Sequence, residues 1–230
     1  MMELPWIDQM HVLARIGREP AYTLQLALAG QGERRQALEH FIQQRFAVQH
    51  AARVRHFMPC LLGLHDARGD VQATVGLRSA QGQPLFLERY LDQPIEQRLA
   101  TRHGAAVPRE TIVEVGNLAV GGRASARLLI VALTDLLVAQ GFQWVVFTGT
   151  AMLLNSFTRL GLCPLPLGPA DPQRMGAELA DWGNYYAGQP QLMGGAILPG
   201  HQQLLRQGLY ARLAYQPLFS LDEVAHAACS

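Results

Sequence analysis

Little in this chain points to covalent staples or a metal. The three cysteines, Cys60, Cys163 and Cys229, are odd in number and widely spaced, so neither a zinc motif nor a disulfide framework is implied. Reduced thiols and a cytoplasmic location are the expectation. The eight histidines include no His-x-x-x-His pair and no His/Asp pairing that calls for a metal, so none is expected. The Gly-x-Ser-x-Gly elbow of hydrolases is missing. An excess of one charge is missing as well: 19 basic and 18 acidic residues leave a net charge of +1. That balance speaks against nucleic acid or an anionic membrane as an electrostatic partner.

Long apolar runs are equally scarce. The longest, 128–139, is interrupted by Thr134 and Asp135 and is too short for a transmembrane span. The first residues, MetMetGluLeuProTrpIleAspGln, lack a basic flank followed by an apolar core, so they do not read as a signal peptide. With no long polar/apolar alternation either, direct membrane insertion is disfavoured. No repeat, linker or low-complexity stretch divides the chain, and 49% apolar residues suffice for a sizeable core. A single domain over 1–230 is expected, with its core at about 22–168 and a C-terminal strand and helix extension over 171–230. The oligomeric state is not readable.

What is present is concentrated in residues 110–168. A strand rich in β-branched residues, 110–120, is followed by the loop Gly121 to Ala126 and an apolar helix over 127–140 that stops at Gly141. A second apolar strand, 142–148, leads into a helix from Ala151 to Leu160, and the chain is extended again over 163–167. Two buried strands joined by a buried helix make a βαβ unit, so 111–120 and 142–148 read as parallel neighbours. A loop that opens a helix turns its N–H groups outward, which suits a phosphate or pyrophosphate. A simple Gly121-Gly122 turn fits the same residues equally well.

The remainder follows from periodicity. Residues 1–20 read as an irregular lead-in, 22–28 as a half-buried strand, and 33–50 as a helix with Ala37, Phe41, Ile42 and Phe46 on one face. Segments 57–64 and 71–77 flank a turn and read as an antiparallel hairpin. Leu85 to Asp92 is a short apolar piece, and Pro94 opens a helix to about Arg102. Asp171 to Tyr186 reads as a helix, Gln191 to Pro199 as a last strand, and His201 to Leu209 as a final helix. The fold class is mixed α/β, a twisted mixed sheet with helices on both faces.

Arg123-Ala-Ser-Ala-Arg-Leu-Leu129 is similar to the Arg-Gly-x-Gly-x-x-Leu loop of the GNAT acyltransferase superfamily, and Asn155 to Leu162 resembles its second helix motif. GluValGlyAsnLeuAla (114–119), GlyPheGlnTrpValValPheThrGlyThr (141–150), TrpGlyAsnTyrTyr (182–186) and the stretch 86–96 resemble, more closely, the bacterial thermostable hemolysin family. The resemblance covers about 40–200. It implies a GNAT-like fold and transfer of an acyl group from acyl-CoA or an acyl carrier protein to a small amine such as an amino acid. The donor is a co-substrate, with no permanently bound cofactor. Two departures stand out: Ala124 occupies a usual glycine position, and Phe157 stands where many members carry the tyrosine acid.

Glu114 is the base expected from these considerations, because an acid in an apolar strand needs a partner or a function. The resemblance puts the base glutamate of histone-type members at the matching position. A buried pair with Arg78 or Arg55 is the structural alternative. Donor contacts are expected from Leu118, Val120, Arg123, Ala124, Ser125, Ala126, Arg127, Thr148 and Asn155, although Thr150 also has the type and place of a helix cap. Asn117, Glu88 and Tyr90 are expected to meet the acceptor. Asn117 stands where lactone synthases have arginine, which argues against their substrate. Product-mediated lysis by a detergent-like N-acyl amino acid would reconcile acyl transfer with the family's name. A non-catalytic binding domain is the remaining alternative.

Overall fold

A computed structural model describes residues 12–18, 21–30 and 32–219. Its frame is a mixed sheet of nine described strands in the order β7-β8-β6-β5-β4-β3-β2-β1-β9. In chain order these are β1 Val12–Ile16, β2 Tyr22–Leu28, β3 Cys60–His65, β4 Val71–Ser79, β5 Ile112–Val120, β6 Trp144–Gly149, β7 Leu165–Pro169, β8 Gln191–Ala196 and β9 Gln216–Pro217. The β5–β6 pair is parallel and every other pairing is antiparallel. The expected βαβ unit and the β3–β4 hairpin are both present.

Helices cover the two faces. On one lie α1, Gly32–His50, and α2, Ile95–His103; on the other lie α3, Arg123–Ala139, α4, Ala151–Arg159, and α5, Ile197–Arg206. A short α6, Leu209–Arg212, follows. β3 is buried along its whole length because both faces are covered, which is why Cys60-Leu-Leu-Gly-Leu shows no alternation. α3 packs Leu129, Leu133, Leu136 and Leu137 against Leu62, Val75 and Val113. The opposite core gathers Leu87, Ile95, Leu99, Ile112 and Val146.

Four expectations need correction. Within the expected irregular lead-in over 1–20, Val12–Ile16 is a strand, paired with β2 on one edge and with two residues of β9 on the other, while 1–11 and 19–20 lie outside the described residues. α3 starts at Arg123 rather than 127, since Gly122 alone provides the extended N-cap. Residues 172–188 are not one helix but 3-10 turns, Pro172–Trp182 and Tyr185–Gly188, broken at Gly176 (φ +57°) and Gly183 (φ +50°). The last strand ends at Ala196, and α5 begins at Ile197 rather than 201.

That irregular C-terminal segment is clipped to the end of α1. Asn184 N–H donates to the His50 carbonyl at 2.8 Å, and Arg53 N–H to the Asp181 carbonyl at 2.6 Å. A side chain at Gly183 would run into the same His50 carbonyl. The chain between α1 and β3 is pinned from the other side: Arg35 donates to the Met58 carbonyl at 2.7 Å.

Met58 sits over a floor made by two glycines. A Cβ at Gly76 would lie 2.6 Å from the Met58 Cβ, whereas one at Gly116 would meet only the terminal methyl at 2.5 Å. Gly76→Ala is therefore expected to destabilise by about 1–3 kcal/mol through overpacking, and Gly116→Ala by less. Urea midpoints of the two variants check this; equal losses would mean that the Met58 backbone is not fixed.

Candidate functional site

The site begins with a local irregularity in β5. Gly76 pairs with Gly116 and Thr74 with Ala119, so Asn117 and Leu118 together oppose one residue of β4. Asn117 takes φ +48°, a left-handed conformation that asparagine tolerates better than most residues. Its Oδ1 accepts from Met58 N–H at 2.8 Å and its Nδ2 donates to the His56 carbonyl at 3.3 Å. Such a bulge bends and twists its strand. The parallel ladder with β6 runs only from Ile112↔Trp144 to Val115↔Phe147, although β5 continues to Val120. Beyond Phe147, β6 stays paired with β8 instead. The two strands part.

A cavity of about 850 Å³ occupies the opening. Glu114, Arg78, Phe86 and Trp182 line it from one face of the sheet, and Leu129, Leu133, Val145 and Ile197 from the other. It therefore passes through the sheet. The α3 side is an apolar tunnel that also takes in Leu137, Phe147, Leu153 and Phe157. On the α1 side the wall is aromatic: Trp182 lies against Phe46, Phe86 and Tyr185 with ring centroids 6.4, 6.0 and 5.2 Å apart.

Glu114 sits at the junction, only 3% exposed. Its Oε2 accepts from Phe86 N–H and its Oε1 from Leu87 N–H, both at 2.9 Å. Those N–H groups open the 3-10 turn Phe86–Tyr90. Desolvation raises the carboxyl above its ordinary pKa, while the two N–H donors and the more distant Arg78 pull the other way. The expected alternative, a buried Glu–Arg pair, is not what forms: Arg55 pairs with Asp181 at 2.8 Å, and Glu114 makes no ion pair with a described residue. Each carboxylate oxygen keeps acceptor capacity beyond its one N–H.

The remaining candidates divide. Leu118, Val120, Ala126, Thr148, Asn117 and Tyr90 line the cavity. Asn155 does not, whereas its neighbour Ser156 does. Glu88 also lies off the cavity wall. It binds Arg109 at 2.7 Å and the N–H groups of Leu85 and Ile95. Burial alone would raise the Glu88 pKa, but Arg109 and the N–H donors outweigh it and hold the carboxyl low. That is a structural brace under the 3-10 turn.

At the donor loop, the first helical bond runs from Ala126 N–H to the Gly122 carbonyl at 3.3 Å, so the N–H groups of Arg123, Ala124 and Ser125 precede the ladder. Ala124 and Arg127 are exposed and Ser125 is buried; the Arg123 side chain lies outside the described structure. Thr150 is the N-cap of α4 by position but makes no side-chain capping bond. Phe157 stacks on Phe147, centroids 5.0 Å apart. Among the described residues no group of three His, Cys, Asp or Glu side chains is placed to hold a metal.

Sequence reasoning missed the tunnel, Arg45 on the cavity wall, and the 51–58 segment beneath it. The available signal was α3 itself: a helix apolar nearly all round has more greasy surface than one sheet face can cover. No pattern in the sequence marks Arg45.

Comparison with known proteins agrees with this architecture. The profile of the thermostable hemolysin family matches residues 29–201, and the chain belongs to that family. No curated protein matches it in sequence. Among solved structures, it is similar to FeeM, an N-acyl amino acid synthase from uncultured soil microbes, with a TM-score of 0.55 and 14% identity, covering 82% of this chain and 97% of that one. It is also similar to BjaI, a CoA-dependent acyl-homoserine lactone synthase solved with SAM and isopentyl-CoA, with a TM-score of 0.57 and 18% identity over 94% and 100% of the two chains. The lactone synthase LasI gives 0.52 and 11%, over 76% and 90%. At these identities the likeness establishes the shared fold.

The geometry of Glu114 fixes what its amide would do. In Glu114→Gln one of the two N–H groups faces an NH₂, so about 1–3 kcal/mol of stability is lost. Because the folded pKa of Glu114 is raised, the wild-type contribution is fullest below the ordinary carboxylate pKa and declines as pH rises through the folded one. The gap in Tm between wild type and Glu114→Gln should narrow from acidic to neutral pH. A gap that widens would show that the carboxylate is stabilised in its charged form.

Proposed function

We propose that this member of the thermostable hemolysin family moves an acyl group from acyl-CoA, or an acyl carrier protein, onto the amine of a small acceptor such as an amino acid. The observation that carries the reading is the through-sheet cavity, with an acid at its neck and an apolar tunnel beyond. A thioester lying in the gap between β5 and β6 has its acyl chain directed into the tunnel and its carbonyl beside Glu114. FeeM and BjaI, whose fold this chain shares, are an N-acyl amino acid synthase and a CoA-dependent acyl-homoserine lactone synthase.

In this reading Glu114 accepts the proton from the attacking nitrogen, and desolvation makes it a stronger base than an exposed carboxylate. The bond from nitrogen to the thioester carbon forms as the carbon–sulfur bond breaks, and the thiolate departs with the electron pair. Phe157 offers it no proton, so protonation comes from the Glu114 acid or from water. Asn117 holds the bulge open. The orphan N–H groups of Arg123, Ala124 and Ser125 face the donor's phosphate. The family's name is accounted for by the product, since a long-chain N-acyl amino acid is an amphiphile that disperses membranes. Lysis then requires donor and acceptor, not the protein alone.

Single-turnover assays with acyl-CoA of increasing chain length test the reading. Medium and long chains should be transferred in preference to acetyl, and Glu114→Gln should slow the folded enzyme by roughly 10²–10⁴-fold with donor affinity unchanged. Hydrolysis or transfer at the wild-type rate in that variant removes Glu114 from the mechanism. The donor loop has its own test. Ser125 is buried, so the informative position is exposed Ala124: Glu there suits the helix dipole and should leave the fold intact, yet repel a phosphate and weaken CoA binding at least about tenfold. Calorimetry giving wild-type CoA affinity for Ala124→Glu would place the phosphate elsewhere.

A further inference from the structure

Every basic side chain in the count of 19 is an arginine; the sequence has no lysine. Five of these arginines are matched with acids: Arg35 with Glu39, Arg55 with Asp181, Arg89 with Glu178, Arg109 with Glu88 and Glu96, and Arg174 with Asp92. Of the five arginines that line the cavity only Arg55 has a described acid partner; Arg53 is exposed and Arg206 bonds Gln203, which leaves two of interest. Arg45, from α1, and Arg78, from β4, make no ion pair or side-chain hydrogen bond with a described residue, and the Nε of each is buried without an acceptor. A guanidinium nitrogen buried beside a cavity without an acceptor is costly unless something anionic enters.

Position tells which anion. Arg78 is the direct cross-strand partner of Glu114, so the two side chains stand next to each other on one face of the sheet. The donor's phosphate is not the anion that Arg78 awaits. The Gly121-Gly122 turn lies beyond Val120, six residues further along β5, or roughly 20 Å. What remains is the acceptor. An α-amino acid carries an ammonium and a carboxylate a few bonds apart, and the wall presents an acid and an unpaired arginine side by side.

We propose that Arg78 binds the acceptor's carboxylate, which makes the acceptor an α-amino acid whose amine faces Glu114. The proposal rests on the acyltransferase reading and narrows its substrate class. Guanidinium groups suit the task because their planar fork matches a carboxylate in two parallel hydrogen bonds. The reaction then balances simply. The incoming ammonium sheds one proton and attacks as an amine, and its second departing proton goes to Glu114. The thiolate takes up one proton, and one proton is released to solvent for each N-acyl amino acid formed.

The experiment compares an amino acid with its carboxyl-blocked analogues. With lauroyl-CoA saturating, leucine should be acylated with a KM at least about tenfold below that of leucinamide or isoamylamine. Arg78→Met should raise the KM for leucine at least tenfold, while leaving the donor KM and the KM for leucinamide unchanged. Arg78 makes no direct ion pair or side-chain hydrogen bond with a described residue, so this variant should fold; its Tm is measured beside the kinetics, because Arg78 also acts on Glu114 through space. Arg78→Gln provides a second variant of polar character. Equal treatment of leucine and leucinamide by wild type overturns the proposal, as does a loss in Arg78→Met that is the same for both. Calorimetry separates it from the parent reading. N-lauroyl-leucine should bind wild type more tightly than N-lauroyl-leucinamide, and Arg78→Met should abolish the difference, whether or not the chain turns over. Absence of that preference overturns the subsite; its presence without any acyl transfer sinks only the enzymatic reading.

Discussion

Four residue pairs of parallel ladder, and no more, hold β5 to β6, and most of what distinguishes this molecule follows from where that ladder stops. A sheet whose strands stayed paired would have no opening, and its two cores would be sealed from each other. The bulge at Asn117 and Leu118 turns β5 away while its pairing with β4 continues to Val120. That conformation is secured by side-chain bonds from Asn117 to the chain at His56 and Met58. The segment is secured in turn by Arg35 and by the glycine floor under Met58. Backbone irregularity in the middle of a sheet is thus held by three separate elements.

The electrostatics at the opening are asymmetric in the same sense. Glu114 is buried and bound by two N–H donors, with Arg78 acting on it only through space, and the Nε of Arg45 and of Arg78 is buried without a described acceptor. By contrast, the brace made by Arg109, Glu88 and Glu96 is fully matched and lies just off the cavity wall. Glu88, off the wall, has a guanidinium in direct contact, and Glu114, on it, has backbone donors alone among the described residues. This division separates Glu88 from Glu114, two acids that look alike in the sequence.

Much of the architecture was legible from pattern. The parallel unit over 110–168, the hairpin, α1 and α2 each show the period or turn chemistry of their element, and the family resemblance runs through the same residues. Less legible was whatever depends on a distant partner. Met175, Leu179 and Trp182 have helical spacing, yet Gly176 and Gly183 adopt positive φ, and at Gly183 the segment folds against the carbonyls ending α1. The loop motif suggested a longer turn before α3 than exists, since Arg123 to Ala126 are as compatible with a first helical turn as with a loop. Glu114 stood out as an acid in an apolar strand. Its backbone partners, 28 and 27 residues upstream, carry no side-chain signature at all.

Under the proposed acyl transfer, the absence of lysine bears on how such a chain would survive its own chemistry. An activated thioester acylates any uncharged amine that reaches it, and surface ε-amines are the usual casualties when acyl-CoA accumulates near a protein. Here every side-chain cation is a guanidinium, which stays protonated and non-nucleophilic at any physiological pH. The walls around the neck can therefore carry arginine charge without offering a lysine amine as a competing nucleophile. A protein built this way can hold a reactive acyl donor beside its own basic side chains and leave them unmodified.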